Sequence, residues 1–184
     1  AAEAKLAGAH FFANEVAPHR AKLVRQALSK IDPDVEVSVA DGRTFGPEYS
    51  GKFDRIMLDA PCTGLGALRR RPEARWRKQP KDVAELTALQ QELIESAWEA
   101  LRVGGILAYV TCSPHSAETV SIVDWLIRKY GSEVQLLDAG EVLSSLNPEL
   151  KLNRNRKTVQ LWPQVHETDA MFMALLGKQE TRTR

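Results

Sequence analysis

Short apolar or β-branched runs alternate along the chain with longer stretches in which apolar residues recur every three to four positions. This is the pattern of a parallel sheet covered by helices, since strands buried on both faces read as apolar runs and amphipathic helices carry one apolar stripe. The pattern predicts an α/β doubly wound domain. A strand is expected over residues 10–16, then a helix opened by Pro18, with Ala21, Val24, Leu28 and Ile31 on one face. A second strand over 35–40 ends at Asp41-Gly42. Residues 53–58 read as a continuous apolar strand running into Asp59-Ala60-Pro61-Cys62, where Pro61 lacks a backbone donor and stops the ladder. From about residue 82 to 101, Leu86, Leu89, Leu93, Ala97 and Leu101 keep helical spacing, and Gly104-Gly105 is expected to end that helix. A strand over 106–111 leads into Thr111-Cys112-Ser113-Pro114. A helix over 118–130, a short strand over 134–137 and a last strand over 171–176 complete the pattern, with 144–164 read as an irregular loop.

Composition narrows the possibilities. A chain of 184 residues, 43% hydrophobic, is long enough for one domain with a real core. The net charge of +1 does not announce a nucleic-acid partner, so any such argument must be local. No apolar run reaches the roughly eighteen residues of a membrane span, and no signal peptide is evident, so a soluble, cytoplasmic protein is expected. Two cysteines fifty positions apart, with few histidines near them, predict reduced thiols and no metal site. His115 and His166 have no spacing that suggests metal or triad chemistry and read as structural or surface residues.

In an open parallel sheet, ligands bind beyond the carboxyl ends of the strands. Four predicted strand ends carry chemistry here: Glu15, Asp41, Asp59 with Cys62, and Cys112. An acidic residue at the position of Glu15 suits ribose hydroxyls, though alone it reads more readily as a solvated helix-start carboxylate. Asp41 before Gly42 could by itself be only a turn residue. Two isolated cysteines are ordinarily small buried hydrophobes. The segments DAPCTGLG at 59–66 and TCSPHSAE at 111–118 are far more specific.

With these two segments at strand ends, and with RRRPEARW at 69–76 and LWPQVHETDAMFMALL at 161–176, the chain resembles RNA (cytosine-5) methyltransferases of the RsmB (Sun/Fmu) type over nearly its whole length. The resemblance implies a Rossmann-like class I methyltransferase fold and S-adenosyl-L-methionine as cofactor, held by Glu15, Asp41, Asp59 and Pro61. It implies that Cys112 attacks C6 of a cytosine, that Cys62 assists release, and that Asp59 binds the N3/N4 edge of the base. Cytosine C5 is a poor nucleophile, and thiolate addition at C6 activates it. RNA, ribosomal RNA by resemblance, is the implied partner. The basic run Arg69, Arg70, Arg71, Arg75 with Trp76 follows the catalytic loop and suits single-stranded RNA, although a charge run is usually a solvated face. Lys151, Arg154, Arg156 and Lys157 form a weaker second cluster.

Competing readings are a DNA cytosine-5 methyltransferase, whose nucleophile would be Cys62, and a noncatalytic RNA-binding module. A small-molecule Rossmann enzyme would want a Gly-rich first turn. The family's D-x-C-A-G-P-G-G-K-like cofactor loop is also absent, so the chain reads as part of a longer protein. The strand before that loop would lie between those at 10–16 and 53–58. Its loss should expose two strand edges, leave 1–50 displaced from an ordered half, and weaken cofactor binding and turnover.

Overall fold

The computed structural model describes residues 2–181, which divide into two compact units, one ending at Phe45 and one beginning at Gly46. The first contains helix α1 (Ala2–Leu6), strand β1 (Phe12–Asn14), helix α2 (Pro18–Leu28) and strand β2 (Glu36–Ser38). β1 and β2 pair in parallel, Phe12 opposite Glu36, as a separate two-stranded sheet. Each is shorter than its apolar run, because a strand is defined by its ladder and this ladder spans three pairs. Asn14 extends the pairing with its side chain, accepting from Ser38 Oγ at 2.6 Å and donating to the Ala40 carbonyl at 3.0 Å. α2 buries Ala21 fully, whereas Ile31 lies beyond the helix and stays exposed, so the predicted face is one turn too long.

Helix α3 (Phe45–Glu48) begins at the last residue of the first unit, and the second unit then holds β3 (Phe53–Asp59), α4 (Ala74–Arg77), α5 (Pro80–Ala100), β4 (Leu101–Thr111), α6 (Val120–Tyr130), β5 (Val134–Leu137), α7 (Ala139–Leu146), β6 (Val159–Gln160), α8 (Pro163–His166) and β7 (Phe172–Lys178). The sheet order is β3-β4-β7-β5; β3 is parallel to β4, while β7 is antiparallel to β4 and β5 and also pairs with β6. β3 ends this sheet, with Met57 74% exposed. It is not a continuous apolar strand: Ile56 and Leu58 pack against the core, while Asp54 is exposed and paired with Arg102.

Two further differences from the sequence reading have physical causes. Helix α5 passes into β4 without a loop, and Gly104 and Gly105 lie inside the strand. Phe53 pairs with Leu101 but Arg55 with Ile106, so the glycines form a bulge, and Gly104 takes φ +77°, which a residue with a Cβ rarely adopts. The face of α5 that packs inward runs through Gln90, Ile94, Ala97 and Trp98, displaced from the predicted leucines because buried Gln90 reads as polar. Residues 144–164, expected to be irregular, include the end of α7, all of β6 and the start of α8.

The core lies between the sheet and helices α5 and α6. Alternating Leu107 and Tyr109 of β4, and Phe172, Ala174 and Leu176 of β7, face Ile94 and Trp98 of α5 and Ile122 and Leu126 of α6. Lys178 donates to the carbonyls of Trp98 and Leu101 at 2.7 and 2.8 Å and so satisfies acceptors at the end of α5. Among the described residues no helix is long and apolar enough to cross a membrane. Trp98 is fully buried, so Trp98→Ala should destabilise the second unit by about 3–5 kcal/mol, measured by urea unfolding. Exposed Val142→Ala should change it by less than about 0.5 kcal/mol.

Candidate active site

Parallel strands β3 and β4 deliver their carboxyl ends to the same rim, Asp59 opposite Val110. Antiparallel β7 brings its amino end there, Phe172 opposite Thr111. Three chain segments therefore converge: the loop after β3 with Cys62, the loop after β4 with Cys112, and residues 167–170 before β7. The two half-buried thiols meet with their sulfurs 3.4 Å apart.

Backbone bonds tie the segments together. Gly66 donates to the Cys112 carbonyl and accepts from the Ala170 amide, both at 2.9 Å. A Cβ at Gly66 would come within 2.0 Å of the Ala170 oxygen and 2.7 Å of the Cys112 oxygen, so the second glycine of DAPCTGLG is required by close approach. A second tie runs through Glu118, which is fully buried. Its carboxylate accepts from the Thr63 amide at 2.7 Å, the Thr63 hydroxyl at 2.6 Å and the Ser113 hydroxyl at 2.6 Å. Gln90 of α5 donates to the Pro61 carbonyl at 2.8 Å.

The thiols are electrostatically unequal. The hydrogen bond from Cys62 stabilises a thiolate on Cys112 and outweighs the opposing effects of burial and the Asp59 charge, bringing the Cys112 thiol down to about 7. Cys62, which supplies that bond, is held well above the ordinary thiol range by it, by burial and by the negative charges of Cys112 and Glu118. The pair thus loses its first proton from Cys112.

Asp59 is exposed at the end of β3, and its carboxylate has no side-chain partner among the described residues. Pro61 is exposed in the same loop. Glu15 and Asp41 belong to the first unit. Glu15 accepts from the Ala17 amide at 2.9 Å and pairs with Arg20 at 2.7 Å; burial pushes its carboxyl up, but the Ala17 amide and Arg20 together outweigh that and hold it below the usual range. Asp41 receives Arg43 on both oxygens and accepts from the Arg43 amide, which keeps its carboxyl low.

Within the basic run, Arg70 grips Asp169 with both Nε and a terminal nitrogen, Nε lying 2.9 Å from Oδ2. Arg69 reaches the Glu167 carbonyl, while Arg71, Arg75 and Trp76 face solvent and Arg75 lies 5.5 Å from the Trp76 ring centre. His115 caps the turn after Cys112, its Nδ1 accepting from Ala117, and His166 lies between Trp162 and the Lys151 carbonyl. A cavity of about 470 Å³ opens beside the Cys112 loop, with Pro114, Ser116, Lys151, Arg156 and Trp162 in its walls. No group of three or more His, Cys, Asp or Glu side chains suited to a metal occurs among the described residues. Sequence reasoning passed over Gly66, Glu118 and Asp169. One signal for Glu118 was available: it is the sole Asp, Glu, Lys or Arg over 103–123.

A family model described as 16S rRNA methyltransferase RsmB/F matches residues 2–177. The chain belongs to the RsmB/F methyltransferase family. A Mycobacterium tuberculosis protein described as a methyltransferase is 48% identical over 164 residues, 89% of this chain and 34% of its own. Ribosomal RNA small subunit methyltransferase F of Escherichia coli is 35% identical over 167 residues, 90% of this chain and 34% of that one. The chain thus spans about a third of the length of these curated relatives, as the 34% coverage states. Among solved structures, NSun6 from Pyrococcus horikoshii with SFG superposes with a TM-score of 0.77 at 25% identity, covering 94% of this chain and 42% of that chain. An S-adenosylmethionine-dependent O-methyltransferase from Thermotoga maritima, at 19% identity, TM-score 0.56 and coverage of 100% and 55%, shares the fold alone. The Rossmann-like class I methyltransferase architecture expected of the family is therefore present in its β3-β4-β7-β5 part, with β7 reversed.

The thiol geometry fixes a pH dependence. Because the Cys112 pKa is depressed, its thiolate fraction rises as pH rises through about 7. Iodoacetamide followed by mass spectrometry should label Cys112 with a rate midpoint near pH 7 and leave Cys62 unlabelled at that pH. Cys62→Ala should move the midpoint upward by more than about one unit, since the donor to the thiolate is gone.

Proposed function

We propose that the chain carries the catalytic thiols of an S-adenosylmethionine-dependent RNA (cytosine-5) methyltransferase acting on small-subunit ribosomal RNA, with Cys112 as nucleophile. The observation that carries this reading is the pair of sulfurs 3.4 Å apart at two adjacent strand ends, of which Cys112 is the acidic one. A chain that used its cysteines only as packing residues would have no need of this polarised pair. The same asymmetry speaks against the DNA-type assignment, in which Cys62 would attack.

The Cys112 thiolate adds to C6 of the cytosine, and the C5–C6 π electrons move onto the ring, making C5 nucleophilic. Asp59, open at the end of β3, accepts from the N4 amino group, and its acid form would donate to N3, where negative charge develops on attack. S-adenosylmethionine, when bound, supplies the methyl group that C5 acquires. A base then removes the C5 proton, the C6–S bond breaks, and Cys112 leaves as thiolate. Cys62, whose proton is firmly held, donates toward the departing sulfur and so assists release.

The residues present suit the cofactor in part. The free carboxylate of Asp59, with Pro61 beside it, and Glu15, one of whose oxygens is uncommitted, are acceptors suited to its amino and hydroxyl groups. Asp41 would serve after exchanging its Arg43 partner. RNA is held by Arg71, Arg75 and Trp76, which are solvent-facing, and by Lys151 and Arg156 in the cavity wall. Arg69 and Arg70 act there while also anchoring the segment before β7.

RNA containing 5-fluorocytosine cannot lose its C5 substituent as a proton, so incubating it and the cofactor with a form of the protein that also carries the family's cofactor loop should trap a covalent adduct, visible as a band shift in denaturing gels. Cys112→Ala should abolish it. Cys62→Ala should retain attack and slow release, so that an adduct accumulates even on unmodified cytosine. The reverse pattern would transfer the nucleophile to Cys62.

Replacing Arg71 and Arg75 together by alanine should weaken single-stranded RNA binding and lower the slope of log affinity against log salt by about 0.7 per residue. Filter binding from low to moderate salt measures this, and an unchanged slope would place both arginines away from the RNA.

A further inference from the structure

We propose that Glu118 is the positioning residue of the thiol pair: a single buried carboxylate, bonded to the residue that follows each cysteine, sets the separation and orientation of Cys62 and Cys112. The proposal rests on reading these cysteines as the reacting pair. Thr63 follows Cys62 and Ser113 follows Cys112, and one oxygen of Glu118 receives both hydroxyls at 2.6 Å. The other receives the Thr63 amide at 2.7 Å, with Gln90 Nε2 at 3.4 Å. The loops are 55 and 5 residues from Glu118, so this bond set joins distant parts of the chain at one point.

Glu118 is itself fixed. The Tyr109 phenol, rising from the core, donates to its backbone carbonyl at 2.9 Å, and its amide donates to the His115 carbonyl at 3.0 Å. Gln90 grips Pro61, so the Cys62 loop is held on both sides of the cysteine. A carboxylate fully buried among neutral donors is a costly way to join two loops, since desolvation of the charge must be offset by hydrogen bonds alone. What it provides that an apolar contact lacks is direction: four donors converge on two oxygens, and each cysteine is one peptide unit away. Its charge also opposes ionisation of Cys62, which leaves Cys62 as donor and Cys112 as acceptor.

The test is the pH profile of site-specific iodoacetamide labelling, which needs neither RNA nor cofactor, on wild type, Glu118→Ala, Glu118→Gln and Ser113→Ala. Unfolding curves run in parallel identify folded variants. Glu118→Ala should move the Cys112 midpoint from about 7 toward the free-thiol value near 8.5, lowering the labelling rate at neutral pH by about tenfold. Glu118→Gln, which keeps the length and one oxygen, should recover part of that loss. Ser113→Ala leaves Glu118 its other donors and should shift the profile in the same direction by less; it decides the matter if Glu118→Ala does not fold. Unshifted profiles in the folded variants would reduce Glu118 to a structural staple and overturn the proposal. A shifted profile in a protein that never forms the fluorocytosine adduct would instead retain the positioning role and sink the methyltransferase reading.

Discussion

At Gly66 the loop after β3 meets the residues beyond the end of β4 and before the start of β7 so closely that one residue bonds both, giving its N–H to the Cys112 carbonyl and accepting the N–H of Ala170. Everything at the rim depends on this approach. It holds the Cys112 carbonyl, sets how far the Cys62 loop can move, and carries Arg70 to where Asp169 can receive it. A side chain at this position would push the three segments apart, because the obstructing atoms are backbone oxygens that cannot rotate away. Strand order explains why they meet there at all: β4 lies between β3 and β7, and reversal of β7 turns its entry, not its exit, toward the two cysteine loops.

Placing the sulfurs 3.4 Å apart has a chemical effect that neither thiol would show alone. Two equivalent thiols at that distance would compete for one proton. Unequal surroundings resolve the competition, with the Glu118 charge opposing ionisation of Cys62 and Cys112 receiving the donated bond. In the reaction proposed above, the nucleophile and the group that helps to expel it would thus be distinguished before any substrate arrives.

The sequence revealed those features whose cause is local. β5 was predicted at the bounds observed, the helix at Pro18 starts where proline fixes the first turn, and the helix expected from about residue 82 begins slightly earlier, at Pro80. DAPC and TCS stood out because neighbouring residues place each cysteine directly after a strand. Features that depend on partners far along the chain stayed hidden. Arg70 read as one more cation in a basic run, since its carboxylate lies 99 residues away. Gln90, being polar, had no place on the predicted apolar face of α5, because nothing near it signals that it binds the Pro61 carbonyl. The glycine pair at 104–105 carries the usual mark of a helix end, and only pairing with β3 shows it to be a bulge.

The outer side of β3 has a consequence for handling. It presents a seven-residue strand with Met57 largely exposed and no hydrogen-bonded neighbour on that side among the described residues. Such a rim is a ready template for any extended chain, including a second copy. Concentrating the protein should therefore favour strand addition along β3, and a charged residue introduced at Met57 should oppose it.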